Sequence, residues 1–339
     1  MRRKRRRHPR RGARVRARAA RRAVDSVVER VKVGYLKNRP TRADRPGPGP
    51  LPDQLLRALD VRIAQRIDGL AAGDFRSTVL GEGTELEQVR PYVAGDDTRR
   101  MDWNVTARTG EPHVRVHVAE RALTTWALLD CSASMTFGTQ DRRKLDVAEG
   151  VALASSHLGT RGGNRFGMMT FGGRKDEIWP STSRRGGVVG LLARLRVEDP
   201  PGGATTSMAE ALHRAALILR TRGLVMVISD WRDESTWRKP LAMLNERHHV
   251  IAVEIRDYRE MELPDVGDTY FTDLETGRQV HVDTSDSAVR KRFAAAAIAE
   301  REQVHHEILA AGAEHVVLHT SGDWLRPFAA YMSRREQYR

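Results

Sequence analysis

The sequence predicts an α/β fold: a mostly parallel sheet covered by helices on both faces. Three observations carry that expectation. Short apolar runs alternate with amphipathic stretches from Leu123 onward, the runs are rich in Val, Ile and Leu, and several stop abruptly in oxygen-bearing residues. A strand that is apolar at nearly every position has both faces covered, as parallel sheets require and half-exposed antiparallel sheets do not.

The elements follow in chain order. Residues 1–22, MRRKRRRHPRRGARVRARAARR, take 13 of the 58 basic residues and no acid, leaving 45 basic against 44 acidic residues. The net charge of +14 and the pI near 10.6 therefore belong to this tail, and the body is balanced. A like-charge block repels itself, so it is expected to be a disordered arm making weak polyanion contacts without sequence preference. Residues 23–53 are a mixed segment ending in NRPTRADRPGPGPLPD, whose prolines and glycines exclude helix and central strand and mark a linker. From Asp53, Leu55, Leu56, Leu59, Ile63, Ile67 and Leu70 recur at helical spacing and predict a helix packed on the body. Beyond Val79 the chain reads as turn-rich and extended. In HVRVHVAE (113–120), Val114, Val116 and Val118 alternate as in a half-buried strand, expected to pair with the next strand along the chain. Residues 54–122 thus supply a helix and an extended segment ahead of the main domain, 123–335.

In that domain strands are expected at 124–130, 164–172, 224–230, 250–256 and 314–321. Helices are expected at 144–159, 185–196, 207–221, 237–247, 286–311 and 323–335, with a small hairpin at 269–284 turning at Glu275 to Gly277. No apolar run approaches the roughly 18 to 20 residues of a membrane span, and no apolar segment of signal-peptide type follows the basic start. The single cysteine, Cys131, has no internal partner, which suits a reducing cytoplasm.

The candidate chemistry sits where strands end. LTTWALLDCSASMT (123–136) delivers Asp130, Ser132 and Ser134; the loop PPGGATTSMAEAL brings Thr205 or Thr206 ahead of a helix; LVMVISD ends at Asp230. Sheets of this type bind ligands beyond the carboxyl ends of their strands, at the switch in strand order. Two carboxylates with hydroxyls, and neither His nor thiolate, form an all-oxygen set suited to Mg²⁺, with Mn²⁺ next, rather than Zn²⁺. Strand-end aspartates also hold Mg²⁺ in phosphoester hydrolases, the rival reading. Its candidate bases are Cys131, which has no histidine beside it, and Asp233; G-x-S-x-G and Walker A sequences are absent. His248-His249 and His305-His306 lack the i, i+4 spacing of helical metal ligands.

The strand-end constellation resembles the von Willebrand factor A domain and its metal-ion-dependent adhesion site, D-x-S-x-S…T…D. Asp130, Ser132, Ser134 and Asp230 match; Thr206 fits the threonine because Ala211 and Leu212 follow as in T-x-x-x-x-A-L, with Thr205 the alternative. The resemblance implies direct ligation by the hydroxyls, aspartates acting largely through water, and one coordination position open to a partner's acidic residue. Upstream, GEGTELEQVRPYVAGDDTRRMDWNVTARTGEPHVR (81–115) resembles the signature of the domain of unknown function 58 family. Arg90, Tyr92, Gly95, Asp96, Asp97, Arg99, Asp102, Trp103, Ala107 and Arg108 fall in place, and the likeness runs from about Leu55 to Phe328. It implies an A-type domain acting as a non-catalytic, metal-dependent interaction module, a partner or adaptor of a MoxR-type AAA+ ATPase acting on a client protein. Many family members carry N-terminal membrane spans, where this chain has the basic tail. Read from the residues alone, the signature charges around Tyr92 and Trp103 either pin the segment to the sheet by ion pairs or contact a partner directly.

Deleting residues 1–22 should abolish retention on duplex DNA or anionic vesicles, which in the full chain should weaken steeply with salt. Undiminished retention would place a basic surface in the body instead.

Overall fold

The computed structural model describes residues 33–35, 47–52, 85–118, 124–158, 164–173, 176–182, 207–233, 235–273 and 279–333. The basic tail, the helices expected at 53–70 and 185–196, Thr205, Thr206 and the turn at 275–277 lie outside them. In chain order the elements are β1 (Val33–Tyr35), β2 (Glu85–Pro91), α1 (Trp103–Thr109), β3 (His113–Val118), β4 (Thr124–Asp130), α2 (Lys144–Leu158), β5 (Arg165–Phe171), β6 (Ile178–Thr182) and α3 (Met208–Ile218). There follow β7 (Gly223–Ser229), α4 (Arg238–Asn245), β8 (His249–Arg256), β9 (Asp268–Asp273), β10 (Gln279–Asp283), α5 (Ser287–Ala310), β11 (Glu314–His319) and α6 (Leu325–Ser333).

Six strands form the central sheet in the order β11-β8-β7-β4-β5-β6. The five expected strands are mutually parallel, and β6 adds an antiparallel edge. The sequence pattern does not announce β6 because IWPST is short and holds Pro180, a residue that strands tolerate at an edge. From β4 the chain moves outward to β5 and β6, then crosses back to build β7, β8 and β11 on the other side. The connections leaving β4 and β7 therefore diverge, which opens a crevice beyond the carboxyl ends of these two neighbours.

Both faces of the sheet are covered. Val147 and Val151 of α2 with Leu325 and Phe328 of α6 pack on Leu129, Met226 and Val253. On the opposite face Leu212 of α3, Leu241 of α4 and Ile308 of α5 pack on Leu128, Val227 and Ala252. Every residue of β4 is buried, the pattern of a central parallel strand. Each such Leu or Val contributes roughly 1.5–3 kcal/mol of burial. At Gly150 of α2 a Cβ would stand 2.3 Å from the Trp324 ring, so only glycine lets that indole lie on the helix. The indole N–H in turn donates to the Pro48 carbonyl at 2.8 Å, and Leu51 packs against the same core. Part of the expected linker is thus docked on the body.

Upstream, the structure corrects two expectations. β3 pairs antiparallel with β2, Arg90 opposite Val114, and not with β4, the next strand along the chain. The segment between them is not wholly extended, because α1 forms there. Asp102 caps its start, accepting from the Asn104 and Val105 N–H groups, and Gly110 ends it in the left-handed region at φ 77°. The signature's ion pairs do not pin it to the sheet among the described residues. Arg90 grips Asp96 with two bonds of 2.7 Å and Arg115 meets Asp102 at 2.9 Å, so both pairs brace the hairpin internally.

The expected hairpin at 269–284 is present as β9 and β10, joined by β1 in a three-stranded antiparallel sheet. Its inner residues Phe271 and Val282 pack with Leu263 and with Phe293 of α5.

One charged residue interrupts the apolar run of β8. Glu254 is fully buried and accepts from Arg256 (2.7 Å twice), from Arg301 of α5 (2.9 Å) and from His315 of β11 (2.9 Å). Burial disfavours its charge, but His315, Arg256 and Arg301 outweigh that and hold its carboxyl at about 2. Because this lies below the ordinary glutamate value, the stabilisation is present above the unfolded pKa and fades as pH falls toward 2. Glu254→Gln should cost about 3–5 kcal/mol near neutrality, the range for breaking a buried ion pair. In melts from pH 7 to pH 2 the gap between variant and native chain should narrow at the acid end; a constant gap would refute the assigned role.

Candidate functional site

β4 ends at Asp130 and β7 at Ser229, side by side across the crevice: Leu129 lies opposite Ile228, one residue before each end. The pleat then brings the two terminal side chains together, and Ser229 donates its hydroxyl to Asp130 Oδ2 at 2.5 Å. The other oxygen, Oδ1, accepts the Ser132 N–H at 2.8 Å, which bends the chain sharply off the strand. A short 3-10 turn, Ala133–Thr136, comes next and sets the Ser132 and Ser134 hydroxyls 3.0 Å apart. Gly172, at the end of β5, keeps this corner open: at φ 72° it would carry a Cβ only 3.0 Å from Asp130 Oδ1.

Asp130 is buried, and among the described residues its bonds come from neutral donors only. Burial and the neighbouring Asp230 charge push its carboxyl up to about 7. A cation beside it would relieve that penalty. A carboxylate beside two hydroxyls has the chemistry of a hard-cation donor set. Among the described residues no group of three or more His, Cys, Asp and Glu side chains is placed to hold a metal, so any ion here depends on the hydroxyls.

Asp230 faces the opposite situation. Its Oδ2 accepts from Lys144 Nζ at 2.5 Å, and the same ammonium reaches Glu260 Oε1 at 2.6 Å. All three side chains are almost completely buried. Burial opposes the Asp230 charge, but Lys144, helped by Arg232 and Arg301, outweighs it and holds the carboxyl below the usual range. Glu260 is likewise lowered by Lys144, Arg232 and Arg301 against its burial. Arg301 also donates to the Asp230 carbonyl at 2.8 Å, which ties α5 to the end of β7.

The backbone after Asp230 is strained. Trp231 takes φ 57°, a left-handed conformation that costs a bulky residue roughly 1–3 kcal/mol. Packing holds it there: its indole is buried edge-on to Trp237 with ring centroids 5.0 Å apart, and donates to the Val253 carbonyl at 3.3 Å. Asp257, just after β8, fastens the remaining rim loops, accepting from the Thr139 N–H (2.8 Å) and hydroxyl (2.6 Å) and from Thr320 (2.7 Å).

The structure brings Asp130, Ser132, Ser134 and Asp230 to one rim, whereas Thr205 and Thr206 lie outside the described residues. The start of α3, immediately C-terminal to these threonines, is anchored. Asp233 accepts the Met208 N–H at 2.8 Å and Ser235 the Ala209 N–H at 3.2 Å, so the helix begins against the loop after β7. Of the signature residues, Asp96 and Arg90 pair, Asp102 caps α1 and meets Arg115, and Asp97 caps the turn at Thr98–Arg100. Tyr92 is half-buried, its N–H on the Pro112 carbonyl. Arg99 and Arg108 stand exposed, and Trp103 is 68% exposed.

Sequence reasoning missed Lys144, Ser229, Arg232, Glu254, Glu260 and Arg301. A signal existed for two of them. Lys144 falls on the stripe of Ala148 and Val151, and Arg301 on that of Ala297, Val304 and Ile308, so each is a charge where helical spacing demands an apolar residue.

A family model described as protein of unknown function DUF58 matches residues 88–303. An uncharacterized protein of Mycobacterium tuberculosis is 38% identical over 283 residues, covering 83% of this chain and 89% of its own length. An uncharacterized protein of Mycobacterium avium is 35% identical over 137 residues, 40% of this chain and 80% of its own. Among solved structures, the conserved hypothetical protein BatB from Bacteroides thetaiotaomicron aligns at 14% identity and TM-score 0.39, covering 63% of this chain and all of its own. The SpRpn10 VWA domain aligns at 15% identity and TM-score 0.35, covering 62% and 94% respectively. With the family model spanning well over half of the sequence and a relative matched along most of both chains, this protein belongs to the DUF58 family.

Proposed function

We propose that this chain is a non-catalytic interaction module whose rim binds one Mg²⁺ or Mn²⁺ and offers it to an acidic residue of a protein partner, a MoxR-type AAA+ ATPase that remodels a client complex. The single observation behind this reading is Asp130: a buried carboxylate whose donors among the described residues are all neutral, beside two hydroxyls 3.0 Å apart, at the switch point of the sheet. Ser132, Ser134 and Thr206 would supply neutral oxygens, with Asp130 and Asp230 behind them. A bound ion would supply Lewis acidity toward a carboxylate, and neutral ligands leave it most of its charge for that purpose. The choice of ATPase rests on the family resemblance.

One feature favours interaction over phosphoester hydrolysis. Of the two candidate bases, Cys131 and Asp233, the second is occupied as a cap, accepting the Met208 N–H at 2.8 Å and the Ser235 N–H at 2.6 Å.

Isothermal titration with Mg²⁺ or Mn²⁺ should reveal one site that Asp130→Ala removes; undiminished binding in that variant would end the assignment. Ser134→Ala and Thr206→Ala should each weaken Mg²⁺-dependent capture of the ATPase about tenfold or more, the scale on which even outer-shell changes act at metal sites. Their melting temperatures should stay close to the native value. Capture that survives both EDTA and Thr206→Ala would show that the ion plays no part.

A further inference from the structure

We propose that Lys144 is a built-in counter-cation of the rim: its ammonium keeps Asp230 out of a divalent ion's ligand set and thereby keeps that ion weakly held. The inference rests on the reading of Asp130, Ser132 and Ser134 as a cation site, and assigns the neighbouring carboxylate a different owner.

The geometry is specific. Lys144 Nζ lies 2.5 Å from Asp230 Oδ2 and 2.6 Å from Glu260 Oε1, and its side chain is 1% exposed. Neither oxygen of Asp230 is idle, since Oδ1 accepts the Arg232 N–H at 3.2 Å. The lysine is not swinging in from solvent. It opens α2, its own N–H bonded to the Phe137 carbonyl at 2.8 Å, in the loop that also carries Ser132 and Ser134. The first residue of a helix is the wrong end for a cation, because the macrodipole there is positive. Only the two carboxylates explain an ammonium in that position.

Apolar helical spacing would have placed an aliphatic residue at 144, and a purely structural filler would need no charge. The consequence of the charge is an asymmetric rim. On one side Asp130 has, among the described residues, neutral donors alone; on the other Asp230 is already matched. An incoming divalent ion meets one available carboxylate, not two, and also the repulsion of the ammonium that holds the second. Weak retention by the protein is what an ion needs if it is to bond strongly to an outside carboxylate.

The test uses the full chain and the metal alone. Lys144→Met should bind Mg²⁺ and Mn²⁺ at least about tenfold more tightly by isothermal titration, since it removes a like charge from the rim and releases Asp230 to face the ion. Its melting temperature should fall without metal and recover more on Mg²⁺ addition than the native chain's does. Lys144→Gln, which keeps a hydrogen-bond donor, guards against misfolding and should shift affinity in the same direction; Lys144→Arg should leave it nearly unchanged. A structural lysine would lower stability without tightening metal binding. If the native chain binds metal and neither neutral variant binds it more tightly, the role of Lys144 is refuted and the cation site stands. If only the neutral variants bind, Lys144 does mask the rim and the native site works without metal. If none binds, both readings fall.

Discussion

Two carboxylates buried at adjacent strand ends must be neutralised, and the rest of the structure is arranged around that requirement. Asp130 and Asp230 are both almost fully buried, where an uncompensated charge costs several kcal/mol. The response to Asp230 extends across the molecule. Lys144 comes from α2, Arg301 from α5 and Glu260 from the turn after β8, and each is fixed by its opposite-charge neighbours. Apolar packing decides that these helices lie on the sheet. The charges decide where along it they stop, since an ion pair at 2.5–2.9 Å tolerates far less sliding than a Leu against a Val.

The network alternates in sign from Asp230 through Lys144 to Glu260, then through Arg301 to Glu254, and ends at Arg256, while His315 adds a hydrogen bond to Glu254. It couples β7, β8 and the edge strand β11 to two helices on opposite faces of the sheet. Among the described residues Asp130 shares no hydrogen bond with this network; the Ser229 hydroxyl donates to it and accepts from the Trp231 N–H, and the Asp230 charge acts on it through space. That separation explains why two aspartates in equivalent places on neighbouring strands shift in opposite directions, one upward and one downward.

The family signature divides by the same physical rule. Arg90, Asp96, Asp102 and the adjoining Arg115 satisfy one another inside the hairpin, so their fixed spacing is that of a local brace. Trp103 and Arg108 take no part in it and face solvent from α1, held in place by the capped helix.

The sequence by itself determined the parallel sheet, its five parallel strands, most helices around it and the rim to which Asp130, Ser132, Ser134 and Asp230 belong. These are local properties: apolar period, strand-ending hydroxyls and capping residues act within a few positions of chain. Tertiary structure alone decided how the charges pair. Lys144 meets Asp230 across 86 residues and Arg301 meets Glu254 across 47, and no local pattern states which acid a buried base will find. The same reason accounts for β3, whose alternating valines announced a half-buried strand but not its partner, since backbone hydrogen bonds carry no sequence label and β2 is the strand that satisfies them. Burial then turned two like aspartates into unlike groups, because the charge each one bears is set by what the fold brings within about 3 Å of it.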